Sequence, residues 1–178
     1  MPNHCGNILD IKGSKERLAE FRAYAAGPGP AWDGDKPKPD DTILLDLNKF
    51  VPIPDEVLNA KKSNRSDAFN SGGYEWCVSN WGSKWGCYDI QVEYEGKDLV
   101  YRFSTAWSPF SVGVLEAMAN LFPELSFELK YGEPGMGFGG IMTASGGEVQ
   151  EDDYFDDATQ KYKTDPDFEY LMGVPEEA

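Results

Sequence analysis

The sequence has few of the residues on which most catalytic sites depend. Its 178 residues include one histidine, His4, and three cysteines, Cys5, Cys77 and Cys87. His4 and Cys5 are adjacent on a strand-like segment, and adjacent strand residues point to opposite faces, so they cannot meet as a catalytic dyad. We therefore predict no catalytic residues, no cofactor and no enzymatic activity.

The thiols also fit poorly with a disulfide framework or a metal centre. Three cysteines are an odd number, and none of them belongs to a Cys-x-x-Cys pair with the spacing of a zinc finger. A zinc site that joins His4 or Cys5 to Cys77 and Cys87 from distant segments is the alternative. The sequence favours buried, free thiols and no metal site.

Long apolar runs are missing as well. No run approaches the roughly 20 apolar residues that a membrane-spanning helix requires. The first residues, Met-Pro-Asn-His-Cys-Gly-Asn, have neither the basic region nor the apolar core of a signal peptide. The low number of cysteines fits a reducing compartment. We expect a cytoplasmic protein without a membrane partner.

Basic residues are scarce relative to acidic ones. The chain has 16 Lys or Arg and 31 Asp or Glu, which gives a formal net charge of −15. A field of this sign repels nucleic acid and anionic membranes over about one Debye length, so direct nucleic-acid binding is disfavoured. The apolar content of 40%, with ten Phe, nine Tyr and five Trp, is nevertheless sufficient for a folded core.

The negative charge is concentrated at the C-terminal end. Residues 148–178 contain 11 Asp or Glu and two Lys. One interpretation is a solvated tail that keeps the protein in solution, which is the usual behaviour of a charge run, and the other is an acidic surface for a basic partner. The candidate partner-binding residues are Glu148, Glu151, Asp152, Asp153, Asp156 and Asp157.

Alternating and helical patterns predict a sheet with two helices. The clearest pattern is a hairpin, in which residues 88–95 and 99–104 alternate on either side of a Glu-Gly-Lys-Asp turn. A helix with helical apolar spacing is predicted after the first strand, and a second one after Ser108-Pro109, which we expect to cap it. These two helices are predicted at 14–25 and 112–122. The remaining predicted elements are strands at 7–12 and 125–131 and an edge strand at 141–144.

The order of these elements predicts the fold class. Without an insertion at about residues 27–87, the order is strand, helix, strand, strand, helix, strand, which is the α+β, ferredoxin-like split βαβ arrangement with two helices on one face of an antiparallel sheet. We expect this domain at 1–147 and an acidic C-terminal segment at 148–178. Inside the insertion the sequence predicts a loop at 27–41, a short strand at 43–47 and a short helix at 54–58. The fold alone assigns no function.

The glycine-rich segment at 135–140 resembles a dinucleotide-binding loop only in composition. A phosphate-binding loop follows a strand and opens a helix. Here the sequence Ile-Met-Thr-Ala follows instead. A bulged strand or a tight turn is therefore predicted.

Tryptophan is dense in the insertion, where residues 74–86 contain three. Buried rings would pack the insertion onto the sheet, which is the favoured interpretation. Exposed rings would stack on a base, a sugar or a side chain of a partner, with the lysine as the charged contact. The candidate residues of this aromatic cleft are Trp81, Lys84, Trp85 and Trp107.

Five short motifs support a resemblance to a known family. They are Met1-Pro2-Asn3-His4, Val51-Pro52-Ile53-Pro54, Trp81-Gly82-Ser83-Lys84-Trp85, Ser104-Thr105-Ala106-Trp107-Ser108-Pro109 and Glu133-Pro134-Gly135-Met136-Gly137-Phe138. On these motifs, over about residues 1–145, the chain resembles the YubB-like ferredoxin-domain family of phages and conjugative plasmids. The resemblance implies a ferredoxin-like fold with an insertion and a mobile-element origin. It implies no catalytic residues, and the sequence after Phe138 departs from the family pattern.

Three classes of function remain. We rank first a protein-interaction module of a mobile element, which binds a basic host protein or nucleic-acid-processing complex. Its carboxylates would take the place of DNA phosphates, so that it acts as a DNA mimic of the anti-CRISPR or anti-restriction type. A small-ligand or nucleotide-binding domain that uses the aromatic cleft comes second. A metal-dependent or carboxylate-dependent enzyme comes last, because histidine-based machinery is missing.

Overall fold

One antiparallel sheet of six strands organises the chain in this computed structural model, which describes residues 3–35, 42–60, 66–158 and 165–173. In chain order the strands are β1 (His4–Lys12), β2 (Tyr88–Glu95), β3 (Asp98–Ala106), β4 (Ser126–Glu133), β5 (Phe138–Ser145) and β6 (Glu148–Phe155). Their spatial order is β2-β3-β1-β4-β5-β6. The helices of the described residues are α1 (Lys15–Ala25), α2 (Asp55–Leu58), α3 (Tyr74–Trp81), α4 (Val112–Leu121) and α5 (Pro166–Leu171).

The first four strands confirm the ferredoxin-like prediction. β3 lies between β1 and β2 and is antiparallel to both, and β4 is antiparallel to β1 on its other side. With α1 after β1 and α4 after β3, this is the split βαβ topology. The insertion, which includes α2 and α3, lies in the connection between α1 and β2.

Helix α1 forms where its sequence predicts. The Ser14 hydroxyl accepts a hydrogen bond from the backbone N–H of Arg17 and caps the first turn. Leu18, Phe21 and Ala25 recur at helical spacing and are fully buried against the sheet. The residues of α4 that share this core are Val114, Leu115, Met118 and Ala119. Both predicted helices therefore cover one face of the sheet, which we call the α1/α4 face.

Helix α5 covers part of the opposite face, which we call the α5 face. Phe168 and Leu171 of α5 pack with Ile8 of β1 in a second, smaller cluster. Val100 and Ile141 of the neighbouring strands pack against that cluster. Because α5 has only six residues, much of this sheet face is left outside its cover.

Several sequence predictions need correction. The short strand at 43–47 is not formed, because Ile43 makes only a single bridge to Gly27 and the Asp46 carboxylate then accepts the Asn48 N–H at the start of a 3-10 turn. Helix α4 begins after Ser111, and the Ser108 hydroxyl donates to the Gly82 carbonyl oxygen instead of capping it. The short helix at 54–58 is confirmed as α2.

The glycine-rich segment forms a turn and a strand, as predicted. Gly137 has a φ of 81° in the turn between β4 and β5. Gly140 lies in β5, where a Cβ atom would be 2.2 Å from the Tyr131 hydroxyl and 2.4 Å from the Asp153 carbonyl oxygen. The close approach of Tyr131 therefore requires glycine at this position.

The acidic segment at 148–178 supplies β6 and α5 to the structure. β5, which was predicted as an edge strand, is an interior strand because β6 pairs along it. Residues 159–164 and 174–178 of the acidic segment, and residues 36–41 of the predicted loop, lie outside the described residues. In the part of the chain that is described, no helix has the length and apolarity needed to cross a membrane.

Candidate functional site

The acidic candidate residues lie along and just beyond the outermost strand of the sheet. β6 pairs with β5 on one side, and its other backbone edge has no strand partner among the described residues. Four of the acidic residues are in β6 and two follow its end. All six are exposed, and they are Glu148, Glu151, Asp152, Asp153, Asp156 and Asp157.

The pairing register divides the β6 carboxylates between the two sheet faces. Ile141, which packs in the α5 cluster, pairs with Asp153, and Met142, in the main core, pairs with Asp152. Residues two apart on a strand share a face, so Glu151 lies with Asp153 on the α5 face. Most of the strand carboxylates are on this face: Asp10, Glu93, Glu95, Asp98, Glu128, Glu148, Glu151 and Asp153.

The strands contribute three cations to the α5 face, Lys12, Arg102 and Lys130, and each has carboxylate neighbours. The Lys12 ammonium lies 3.6 Å from Asp10, and the Arg102 guanidinium lies 3.0 Å from Glu93. The eight strand carboxylates of the α5 face outnumber these three cations, and the cations already have carboxylate partners. The α5 face therefore has an excess of negative charge.

Lys130 is the most enclosed of the three cations. Its ammonium lies 2.8 Å from both Asp165 and Asp167 and 3.8 Å from Glu128. Burial lowers the pKa of Lys130, but the hydrogen bonds to Asp165 and Asp167 outweigh it and raise the pKa above its usual range. Lys130 therefore stays charged and joins β4 to the residues around the start of α5.

A shallow groove of about 270 Å³ opens on the α5 face. It crosses β1, β4, β5 and β6, and its ionisable lining residues are Asp10, Glu128 and Lys12. The groove therefore offers carboxylates to a ligand, with Lys12 already facing Asp10.

The second candidate site is a pocket of about 340 Å³ between the insertion and the start of β2. Its walls come from residues 28–32, 43–47, the end of α3 and residues 85–88. Four aromatic side chains line it: Trp32, Trp81, Trp85 and Tyr88. We call it the Asp46 pocket, because Asp46 is the only carboxylate among its lining residues in the described part of the chain.

Asp46 is held by backbone groups from two segments. One carboxylate oxygen accepts the Gly29 N–H at 2.9 Å, and the other accepts the Asn48 N–H at 3.0 Å. The residue is 3% exposed, and burial raises the pKa of its carboxyl above its usual value. Gly27 permits this arrangement, because a Cβ atom there would lie 2.3 Å from the Asp46 Oδ2.

The structure separates the four residues of the predicted aromatic cleft. Trp81 is 1% exposed and donates its indole N–H to the Val51 carbonyl oxygen at 2.8 Å, so it packs the insertion onto the core. Trp85 lines the Asp46 pocket together with Trp81. Lys84 and Trp107 are not among the lining residues of this pocket.

Lys84 and Trp107 belong to a cation–π cluster. The Lys84 ammonium lies 5.0 Å from the Trp85 ring centre, 5.2 Å from that of Trp107 and 5.8 Å from that of Tyr74. Trp107 is 38% exposed and has a φ of 74°, which is unusual for a residue other than glycine. Among the described lining residues, Asp46 therefore supplies the charge of the Asp46 pocket, while Lys84 lies against the Trp85 and Trp107 rings without lining the pocket.

The cysteines are buried and free, as the sequence predicts. Burial raises the pKa of Cys5 and of Cys77 to about 12. Burial, with the nearby negative charge of Asp46, also raises the pKa of Cys87 well above its usual value. Among the described residues, no group of three or more His, Cys, Asp or Glu side chains could hold a metal ion.

Sequence reasoning missed Asp46, Trp32 and Tyr88. Asp46 falls between two leucines in a segment that alternates like a strand, which hid its role as the cap of a 3-10 turn. The available signal was the Asp-Leu-Asn sequence, since Asp favours local hydrogen bonds to N–H groups two residues later. Trp32 is brought to the pocket by folding of the insertion, and no local pattern indicates it.

Comparison with known proteins supports the fold. A family model described as the ferredoxin-like domain in Api92-like protein matches residues 84–172, a range that includes β6 and α5. The crystal structure of a protein api92 from Yersinia pseudotuberculosis is similar, with a TM-score of 0.58 and 10% sequence identity over 87% of this chain and 98% of that chain. At this identity the likeness concerns the fold alone. No curated protein matches the sequence.

Proposed function

The chain belongs to the family of ferredoxin-like domains in Api92-like proteins, and we propose that it is a protein-interaction domain that binds a basic partner through β6 and the α5 face. One observation carries the proposal. Each Lys or Arg on the described strands lies within 4 Å of a carboxylate, either on the α5 face or at Asp165, which caps α5. The β6 carboxylates Glu151 and Asp153, in contrast, are exposed.

The arrangement of the carboxylates favours an extended basic surface as the partner. Glu151 and Asp153 are two residues apart on one strand, so their Cα atoms are about 7 Å apart. Asp10 and Glu128 lie along the groove on the same face, each within 4 Å of a lysine. A protein surface that binds a nucleic-acid backbone presents a comparable row of Lys and Arg, and opposite fields accelerate its encounter with an acidic protein.

The partner in this proposal is a basic host protein or a nucleic-acid-processing complex, and the protein competes with nucleic acid for it. The motif resemblance to phage and conjugative-plasmid proteins supports a mobile-element origin. A mobile element benefits from blocking a host defence enzyme in the cytoplasm, so we include an anti-defence role of the anti-CRISPR or anti-restriction type. Binding through exposed carboxylates would weaken as salt concentration rises.

The test is affinity capture from host lysate at low and high salt with two variants of equal charge. The first variant carries Glu148→Gln, Glu151→Gln, Asp152→Asn and Asp153→Asn in β6. The second carries Glu16→Gln, Glu56→Gln, Glu75→Gln and Glu116→Gln, four exposed acids on helices. Each captured protein is then challenged with duplex DNA, which a nucleic-acid mimic should release.

The proposal expects salt-sensitive capture by the wild-type protein and by the helix variant, loss of capture by the β6 variant, and release by DNA. Both variants must elute from gel filtration at the wild-type volume and unfold at a similar temperature. Equal capture by all three proteins would overturn the assignment of the site. A partner that DNA fails to release would contradict the mimicry of nucleic acid.

A further inference from the structure

The nearest influential cation acts on the Asp46 carboxylate from beyond ion-pair distance, because the charge of Lys49 lowers the pKa of Asp46 by less than burial raises it. Among the described residues, no Lys, Arg or His lies within ion-pair distance of it. Its two hydrogen bonds come from neutral backbone N–H groups. A buried carboxylate is costly unless it is paired. Each of its oxygens accepts one hydrogen bond from these N–H groups and keeps acceptor capacity for a further donor.

The walls of the Asp46 pocket suit a flat apolar body. Trp32, Trp85 and Tyr88 are partly exposed and line the pocket, and Trp81 completes the aromatic set. Ile43, a further lining residue, is aliphatic. Small-ligand sites are typically apolar pockets of 300–1,000 Å³ with a few polar groups that fix orientation, and this pocket of about 340 Å³ has that character.

The pocket is fixed by the backbone on both sides of Asp46. Gly27 and Ile43 exchange two backbone hydrogen bonds of 3.0 Å and 2.7 Å, and the Asp46 N–H donates to the Ala25 carbonyl oxygen at 2.8 Å. These contacts tie residues 43–46 to the end of α1. The carboxylate is therefore held in place before any ligand arrives, which lowers the entropic cost of binding.

From these contacts we propose that the Asp46 pocket binds a small organic cation with a flat apolar body. The ligand's ammonium group donates to the Asp46 carboxylate, and its ring lies against the aromatic walls, where the faces of Trp and Tyr also attract a cation. This site is separate from the β6 carboxylates and independent of the partner proposed above. Neutral and anionic analogues of the same ring should bind more weakly, because they leave the carboxylate without a counter-charge.

Tryptamine is a suitable probe, since it joins an indole ring to a protonated amine. Tryptophol replaces the amine by a hydroxyl, and indole-3-propionate replaces it by a carboxylate, so the series varies charge with the ring kept constant. Isothermal titration calorimetry on the full chain should show tryptamine binding at least tenfold more tightly than tryptophol, with no detectable binding of indole-3-propionate. The indole N–H signals of Trp32 and Trp85 should shift in NMR spectra, and that of Trp107 should not.

Two variants test the site in different ways. Asp46→Asn removes the charge, and Gly86→Leu narrows the pocket while leaving Asp46 and its hydrogen bonds intact. A Cβ atom at Gly86 would meet the Trp81 ring at 3.9 Å, an ordinary contact distance, so the backbone at this position accepts a side chain. Glu116→Gln, on the exposed side of α4, removes the same charge at a distance and is the matched control.

The proposal expects each pocket variant to lose at least tenfold in tryptamine affinity, and the control to stay within twofold of the wild-type protein. If Asp46→Asn does not fold, Gly86→Leu alone decides. Absence of tryptamine binding to the wild-type protein at millimolar concentration would overturn the proposal. Equal affinity for tryptamine and tryptophol, or unchanged affinity in Gly86→Leu, would overturn it as well.

Discussion

The Lys130 ammonium lies 2.8 Å from the Asp167 carboxylate and thereby connects β4 to α5. Asp165, one residue before the helix, accepts from the same ammonium and also caps the helix through the Asp167 N–H. A short helix of six residues is not stable by itself. Its position therefore depends on this ion pair and on the burial of Phe168 and Leu171.

Lys130→Met should loosen α5 and lower the free energy of unfolding by about 1–2 kcal/mol, because it leaves carboxylates without their cation. The raised pKa of Lys130 means that its contribution is fully present below the ordinary value of 10.5 and is lost as pH rises through the higher value in the folded protein. Urea unfolding at pH 7 and pH 11 measures this difference. Lys12→Met, which removes an exposed pair of 3.6 Å, is the control and should change little.

Trp81 and Trp107 should respond very differently to substitution. Trp81→Phe should destabilise the protein by about 2 kcal/mol, because it leaves a cavity and an unpaired Val51 carbonyl oxygen. Trp107→Gly should change stability by no more than about 1 kcal/mol, because relief of the positive φ offsets the lost cation–π contacts. Thermal unfolding of both variants checks the contrast, and a larger loss at Trp107 would contradict it.

The thiols should be unreactive in the folded protein. Burial raises the pKa of Cys5 and of Cys77 to about 12 and that of Cys87 well above its usual value, so almost no thiolate is present at pH 8. Intact-mass spectrometry after iodoacetamide treatment should show no adduct in buffer and three adducts in 8 M urea, one for each cysteine. Rapid alkylation in buffer would show that one of the thiols is accessible and more acidic than its burial implies.

Tryptamine binding should depend on pH in a defined direction. Burial raises the pKa of Asp46 above its ordinary value of 3.8, and a protonated carboxyl cannot pair with an ammonium group. Affinity should therefore fall as pH is lowered through that raised pKa, with proton release on binding in the same range. Calorimetry in buffers of different ionisation enthalpy measures both effects, and affinity that rises on acidification would contradict the role of Asp46.

The sequence is sufficient to predict the ferredoxin-like part of the fold because each of its elements has a clear period. The hairpin of β2 and β3 alternates strictly, and α1 combines a Ser14 cap with buried residues at helical spacing. Such local patterns agree with the tertiary structure, so the order of elements alone indicates the topology.

The sequence patterns did not predict β6 or α3, and the physical reason differs between the two elements. The sequence of β6 is polar on both faces, because the strand lies at the edge of the sheet and buries little, so no alternation marks it. In α3, the spacing of Cys77 and Trp81 and the left-handed Gly82 that follows were available signals of a helix and its end.

The candidate sites were predictable only in part. The acidic residues stand out from composition alone, but their division between two faces depends on a register that includes a bulge after Thr143. The Asp46 pocket depends on contacts between the end of α1, the insertion and the start of β2. Those segments are distant in sequence, so no local pattern could bring them together.

The position of β6 has a consequence for how copies of the chain meet one another. Its outer backbone edge has no strand partner among the described residues, and such an edge is a template on which a second strand can add. Four carboxylates within eight residues make that addition unfavourable, because two copies of β6 would bring like charges together. High salt would screen these charges and remove this protection, so the same carboxylates set the conditions under which the protein stays free of fibrous or amorphous aggregates.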